Sequence, residues 1–292
     1  MSAVPALLIA PGFFSSEVVR VALLVGTVVA VVSATVGVFT VIRGQSFAGE
    51  ALGDTNTAGG SAAFLAGVTP LWGFVVVGVA TAGAMELIGI QRPRGRDLAT
   101  GIVLGFFLGL AALLLYLSAT LENTTGATQT ILFGSVFLVS SSTLPLVALL
   151  GAVALAMVGL LYRPLLLSSV SAEMAAARGL HVRAIGFAYL LALALAVALA
   201  ALTIGTILST ALLVGPAASA LRLTRRPATA IAAAAAIGVA AMWLGIVLAY
   251  DSFDWAPVGT GWPVSFFVVS LIFIGYLLSG LPGLIARSAR VA

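Results

Sequence analysis

Hydrophobic positions in this chain run together instead of alternating with polar ones. Apolar stretches recur at about 18–42, 47–66, 71–90, 98–119, 142–162, 184–203, 205–221, 229–250 and 262–284. Each is close to the roughly 20 residues that carry a helix across a ~30 Å hydrocarbon core. Val, Leu and Ala dominate and no period-two pattern is present, so the stretches predict helices and not barrel strands. The expected fold is all-α: a polytopic transmembrane helical bundle of about nine spans, forming one domain over residues 1–292. One apolar stretch, 129–140, is only about a dozen residues long and predicts an interfacial or re-entrant helix. No fixed-period repeat is visible.

The charges fall in the gaps between these stretches. With Arg43 placed inside and the nine spans threaded alternately, Arg92, Arg94, Arg96, Arg163, Arg178, Arg183, Arg222, Arg225, Arg226, Arg287 and Arg290 all fall on the same side. Only Arg20 falls outside, together with Glu17, Glu122, Asp251 and Asp254. Cytoplasmic loops carry the excess of Lys and Arg, so the N-terminus is expected outside and the C-terminus inside. Trp72, Trp255 and Trp262 sit at predicted outer boundaries, where an aromatic belt belongs. Residues 1–17 hold no Arg or Lys and their apolar run is short, so no cleavable signal peptide is expected.

Composition narrows the chemistry. The chain of 292 residues is 62% hydrophobic and 8% charged, with a mean hydropathy of +1.23. Soluble domains carry roughly 25% charged residues. There are no cysteines and a single histidine, His181, which excludes thiolate sites and an imidazole-rich metal site. All thirteen basic residues are Arg. Without Lys there can be no Walker A loop, whose Lys holds the nucleotide phosphates. ATP hydrolysis, if involved, belongs to a partner, and no enzymatic activity is expected of this chain.

The second span is unusually polar. It contains Gly49, Glu50, Gly53, Asp54, Thr55, Asn56, Thr57, Gly59, Gly60 and Ser61, and such a helix must be wrapped by others or line a cavity. Glu50 and Asp54 stand at i and i+4, on one helix face. Asp54 lies ~16 Å along the helix axis from Arg43, near mid-bilayer, where a carboxylate costs ~2.5–3.5 kcal/mol on insertion scales. No span centre offers a cationic partner, so a translocating cation is the natural compensating charge. Two carboxylates, with Asn56, Thr55 or Thr57 nearby, form an oxygen set suited to hard or borderline divalent ions. The competing reading pairs Glu50 with Arg43 at the inner interface and keeps Asp54 protonated in a packed hydrogen bond.

Other features carry less chemistry. Glu86 reads as an interfacial acid one turn from Gln91 and the nearby Arg cluster. Gly101, Gly105 and Gly109 form a ridge that signals close helix packing. Thr203, Thr206, Ser209 and Thr210 either line a pathway or satisfy backbone at a break. In the inner loop, residues 163–183, Ser171 can cap a short helix. Glu173 stands early in it, Arg178 late, and Gly179 at its end. A helix of two turns is not stable alone and is expected to dock, on a partner or on its own membrane domain.

Five short motifs in order resemble the metal-ion (zinc/manganese) family of ABC importer permeases. They are the Arg-containing turn followed by Gly49–Asp54; Asp97 and Gly101; Ile131–Ser135; Tyr162–Leu167 leading to Glu173, Ala175 and Gly179; and the run from Gly205 to Ala217. The resemblance implies a type II importer-like permease in the cytoplasmic membrane of a prokaryote. It also implies a second permease copy, ABC ATPase subunits on a coupling helix that includes Ser171, Glu173, Ala175, Arg178 and Gly179, and an extracytoplasmic metal-binding protein. No cofactor is held permanently; the divalent metal ion is the transported substrate. By resemblance Glu50 and Asp54 occupy the positions of the family's metal-contacting Asp and His. Asp54 stands where His is usual and Ala58 where Pro is usual. Loss of the nitrogen ligand hardens the site and favours manganese or iron over zinc.

Two other classes compete. A secondary transporter could carry protons or sodium on Glu50 and Asp54, and would not need the Ser171–Gly179 helix. An intramembrane enzyme would be left with paired-carboxylate chemistry alone, and the Gly-x-Gly-Asp signature of such proteases is absent.

Overall fold

The computed structural model describes residues 13–88, 96–121, 126–224, 226–255 and 261–288. Among them the regular structure is helical. The helices are α1 (Glu17–Ile42), α2 (Ser46–Leu65), α3 (Pro70–Ile88), α4 (Arg96–Leu121), α5 (Gly126–Phe133), α6 (Leu144–Leu160), α7 (Tyr162–Val170), α8 (Ala172–Ala177), α9 (Val182–Ile204), α10 (Ser209–Leu223), α11 (Pro227–Asp251) and α12 (Val264–Ser288).

Nine of these helices coincide with the nine apolar stretches. Among the described residues five helical segments are long and apolar enough to cross a membrane: Glu17–Ile42, Pro70–Leu87, Ser141–Leu160, Val182–Ile204 and Pro227–Asp251. Leu104–Thr120 and Val264–Gly280 are shorter apolar stretches. Helix α2 is too polar for this criterion, and α10 has only 15 residues. Nine crossings is therefore still the expectation of the charge pattern.

Helices α1 and α9 are apolar on every side, as befits helices wrapped by others, and they form the interior. Phe39, Leu190 and Leu193 are fully buried there. Helix α1 is packed by α6, α9, α10 and α11, and α9 is packed by α3, α6 and α1. In lipid, close approach of helices depends on small residues and dispersion contacts. At Gly37 a Cβ would stand 1.8 Å from the Leu213 carbonyl oxygen of α10. Gly59 and Gly73 bring α2 and α3 together backbone to backbone, and a Cβ on either would stand 2.4 Å or 2.0 Å from the other's carbonyl oxygen.

The 129–140 stretch is not a full crossing. It comprises the end of α5 and a 3-10 turn, Val136–Leu138. Ile131 and Val136 are buried while Phe133 and Leu138 are exposed, so this irregular backbone is held against the protein on one side. It meets the break between α9 and α10. The Ile131 carbonyl accepts from the Thr206 N–H at 3.1 Å, and the Leu132 carbonyl from Ile207 N–H at 3.4 Å.

The inner loop holds two helices, not one. Beyond the expected α8, residues Tyr162–Val170 form α7, with Pro164 in its first turn, where proline is tolerated. Ser171 caps α8 as expected, its Oγ accepting from Met174 N–H at 3.1 Å. Gly179 (φ +79°) ends the motif, and Leu180 N–H closes onto the Ala175 carbonyl.

The glycine ridge on α4 departs from expectation. Gly101, Gly105 and Gly109 are exposed, and a Cβ on any of them would meet nothing within 4 Å. The ridge faces away from the rest of the described chain. Glu86 sits 3.5 Å from Arg183 of α9; its expected neighbours at 91–95 lie outside the described residues.

Candidate metal pathway

The turn Arg43–Gln45 delivers the chain into α2. Gly44 takes φ +62°, and the Gln45 carbonyl accepts the first helical bonds of α2, from Ala48 N–H at 3.0 Å and Gly49 N–H at 3.2 Å. Gly49 and Gly53 form the face of α2 that packs on α10. A Cβ at Gly49 would stand 2.9 Å from Leu213 Cδ2, and one at Gly53 would stand 2.9 Å from Ser209 Oγ. The small residues that weaken α2 as a lipid-facing span are therefore what let α10 approach it.

Glu50 and Asp54 lie one residue further round the helix from these glycines. Glu50 is exposed and Asp54 half-buried. Four residues apart on one helix, the two side chains are neighbours on its surface. Among the described residues neither has a hydrogen-bond or ion-pair partner. The pairing of Glu50 with Arg43 does not occur. Arg43 instead bonds Ser168 Oγ at 2.9 Å and Gln45 Oε1 at 3.4 Å, with its guanidinium 5.3 Å from the Tyr189 ring centre. The packed hydrogen bond on Asp54 is absent as well.

The other polar residues of α2 do not join the pair. Thr55 Oγ1 donates to its own helix at the Leu52 carbonyl. Thr57 Oγ1 donates to Thr206 Oγ1 at 2.8 Å. Asn56 is fully buried beside Gly78 of α3, whose Cβ would stand 3.1 Å from Asn56 Oδ1. The expected oxygen set is thus two carboxylates per chain. Among the described residues no three acidic, His or Cys side chains cluster. A divalent ion at this point would complete its shell with water or with oxygens from another chain, since six or more oxygen ligands are usual for hard cations.

The hydroxyls around the α9–α10 break serve the backbone. Thr203 Oγ1 donates to Ala200 O, Ser209 Oγ to Thr206 O, and Thr206 Oγ1 to Ile131 O at 3.3 Å. Thr203, Thr206 and Ser209 are all buried. Thr206→Val removes the Thr206 hydroxyl and leaves the Thr57 hydroxyl without its acceptor, an expected loss of about 1–3 kcal/mol. Denaturation of the purified chain in detergent measures that loss. Uptake per folded molecule is expected to be unchanged, and a selective loss of uptake would put these hydroxyls back in the pathway.

The coupling candidates lie together on α8 and its ends. Ala175 is the buried residue of this helix, while Glu173, Arg178 and Gly179 are exposed and Ser171 is spent on the cap. Sequence reasoning missed two apolar side chains beside them: Val170 is 84% and Met174 51% exposed. Both stand in short, loop-like sequence, where hydrophobic periodicity carries no signal.

The family model for the ABC 3 transport family matches residues 15–279. The chain is 28% identical over 279 residues to the manganese transport system membrane protein MntC of Listeria monocytogenes, covering 96% of this chain and 97% of that protein. It is 30% identical over 271 residues to the MntC of Halalkalibacterium halodurans, covering 92% and 90%. Among solved structures, PsaBC from Streptococcus pneumoniae, determined in complex with Fab, superposes with a TM-score of 0.78. The identity there is 26%, with 92% of this chain and 93% of that chain covered. With a family match over most of its length and relatives aligned nearly end to end, the chain belongs to the ABC 3 transport family.

Proposed function

We propose that this chain is the membrane permease of an ATP-driven importer for a divalent metal ion, and that Glu50 and Asp54 are the ligands the ion meets on its way through. The observation that carries the reading is a pair of carboxylates without a partner among the described residues, on the most polar of the long helices. A carboxylate in such a place is neutralised by a proton or by a cation, and two at i and i+4 suit a dication better than one would.

Manganese is the proposed cargo. The relatives with MntC names are manganese transport proteins, and a carboxylate-only set favours hard ions over zinc. A second copy would bring another Glu50 and Asp54 to a two-fold axis and supply the missing oxygens. The α8 helix, with exposed Met174 and the neighbouring Val170, is the docking surface for an ATPase subunit, and a metal-binding protein delivers the ion from outside. The N-terminus lies outside and the C-terminus inside the cytoplasmic membrane of a bacterium.

The test is reconstitution of the chain in liposomes with its ATPase and binding protein. Manganese accumulation is expected only with ATP. Accumulation that follows a proton or sodium gradient without ATP would establish the secondary-transporter reading instead. Preference for zinc or iron would correct the ion and leave the rest standing.

A further inference from the structure

An arginine held half-buried with no carboxylate partner among the described residues needs a reason to be there. Arg43 caps the C-terminus of α1 through its backbone, with Arg43 N–H bonding the Phe39 carbonyl at 2.9 Å. A cation near a helix C-terminus is favoured by the dipole, but that gain requires only that the side chain stay close to the last carbonyls of α1. The Arg43 side chain leaves α1 instead and reaches α7.

Its contacts form a continuous path between two regions that are 125 residues apart in sequence. Nη1 donates to Ser168 Oγ at 2.9 Å, and Ser168 Oγ donates to Leu165 O within α7. Ser168 stands three residues before the cap of α8, Ser171. Nε donates to Gln45 Oε1 at 3.4 Å, and Gln45 is the buried residue whose carbonyl starts α2. Glu50 follows five residues later, ~7.5 Å along the axis. On the remaining side the guanidinium lies 5.3 Å from the Tyr189 ring centre. The Tyr189 hydroxyl is fixed by Thr40 Oγ1 at 2.6 Å and by the Val36 carbonyl at 3.2 Å. The turn itself has little slack: Gly44 holds φ +62°, and Gln45 N–H closes onto the Thr40 carbonyl at 2.9 Å.

We infer that Arg43 is a positioning residue that ties α7, and through it the ATPase-docking helix α8, to the start of α2, so that movement of the docked ATPases is delivered to the helix bearing Glu50 and Asp54. The inference rests on the proposed function. A charge-assisted hydrogen bond from a planar fork is strong and directional, which suits a strut that must push and pull.

The experiment compares the chain with Arg43→Gln, Arg43→Lys and Ser168→Ala, each reconstituted with the ATPase and binding protein, reading manganese moved per ATP hydrolysed. With Arg43→Gln this ratio is expected to fall roughly tenfold, the scale of losing a charged hydrogen bond, while ATP hydrolysis stays within about twofold. Arg43→Lys restores part of the ratio, because Lys keeps the charge but not the fork. Ser168→Ala removes one hydroxyl, is least disruptive to folding, and lowers the ratio in the same direction. An unchanged ratio in Ser168→Ala and Arg43→Gln overturns the inference, as does an equal fall of hydrolysis and uptake. Absence of ATP-driven uptake in the unsubstituted chain would defeat the proposed function itself, so the two failures are distinguishable.

Discussion

Asp54→Ala is expected to lower manganese uptake about a hundredfold with the permease still present in the membrane. Asp54 is half-buried in α2 and has no protein partner among the described residues, so its removal breaks no hydrogen bond or ion pair and frees no buried donor. The effect must then come from the ion. Changes outside the first coordination shell already cost metal sites about 10–100-fold, and Asp54 is proposed as a direct ligand. Glu50→Ala should act in the same direction but less severely, since Glu50 is the more exposed of the two. Asp54→Asn keeps an oxygen but loses the charge, and should fall between wild type and Ala. Asp54→His is the informative variant: it should retain transport while moving preference towards zinc, because imidazole suits zinc better than a carboxylate does. Uptake of labelled manganese and zinc per permease molecule reads all four variants. Normal manganese uptake by Asp54→Ala would remove Asp54 from the pathway.

Gly205→Ala is expected to cost at least about 3 kcal/mol and to leave little folded protein. Gly205 takes φ +86° at the α9–α10 break, and a conformation of this kind costs a non-glycine residue of order 1–3 kcal/mol. The space is also closed. A Cβ there would stand 2.2 Å from the Leu132 carbonyl oxygen and 2.5 Å from Gly134 N. Gly134 mirrors it, with φ +70° and a Cβ position 2.3 Å from Gly205 N. Neither backbone can withdraw without breaking the hydrogen bonds from Thr206 and Ile207 to Ile131 and Leu132. Yield of monodisperse protein in detergent and its melting temperature would test this. Gly101→Ala, on the open ridge of α4 with nothing within 4 Å, is the matched control within the chain and should fold normally. A Gly205→Ala chain as stable as the parent would mean that α5 and the break are not locked together.

The legibility of these two sites differs for a physical reason. Glu50 and Asp54 announce themselves because lipid penalises charge, so any carboxylate inside an apolar run is an anomaly that one-dimensional reading detects. The Ser171 cap was legible too, since capping uses neighbours three residues apart. The Gly134–Gly205 lock was not. Each glycine is unremarkable in a chain with 32 of them, and the contact joins residues 71 positions apart. The same limit explains Arg43. Its nearest acid along the helix path is Glu50, so sequence spacing suggested that pair, whereas the fold brings Ser168 and Tyr189 to it from far along the chain. The oxygen set was overcounted likewise: Asn56 and Thr57 are close to Asp54 in sequence, but helical rotation turns them into the bundle.

From the sequence by itself come the helical membrane class, the places of the nine long helices, the expected sidedness, the short capped helix of the inner loop, the lack of any nucleotide-binding loop and the acidic pair. All of these depend on composition or on neighbours within about one helical turn, and hydrophobic periodicity and capping encode both. Tertiary structure alone decided which face of α2 the carboxylates occupy, that they have no partner among the described residues, and that the Thr206 hydroxyl closes onto Ile131 across a backbone break. It also decided that Arg43 reaches α7. Each of these depends on which helices meet, and in lipid that is settled by the shape of small-residue faces in three dimensions, with no residue pattern along one segment to announce the partner.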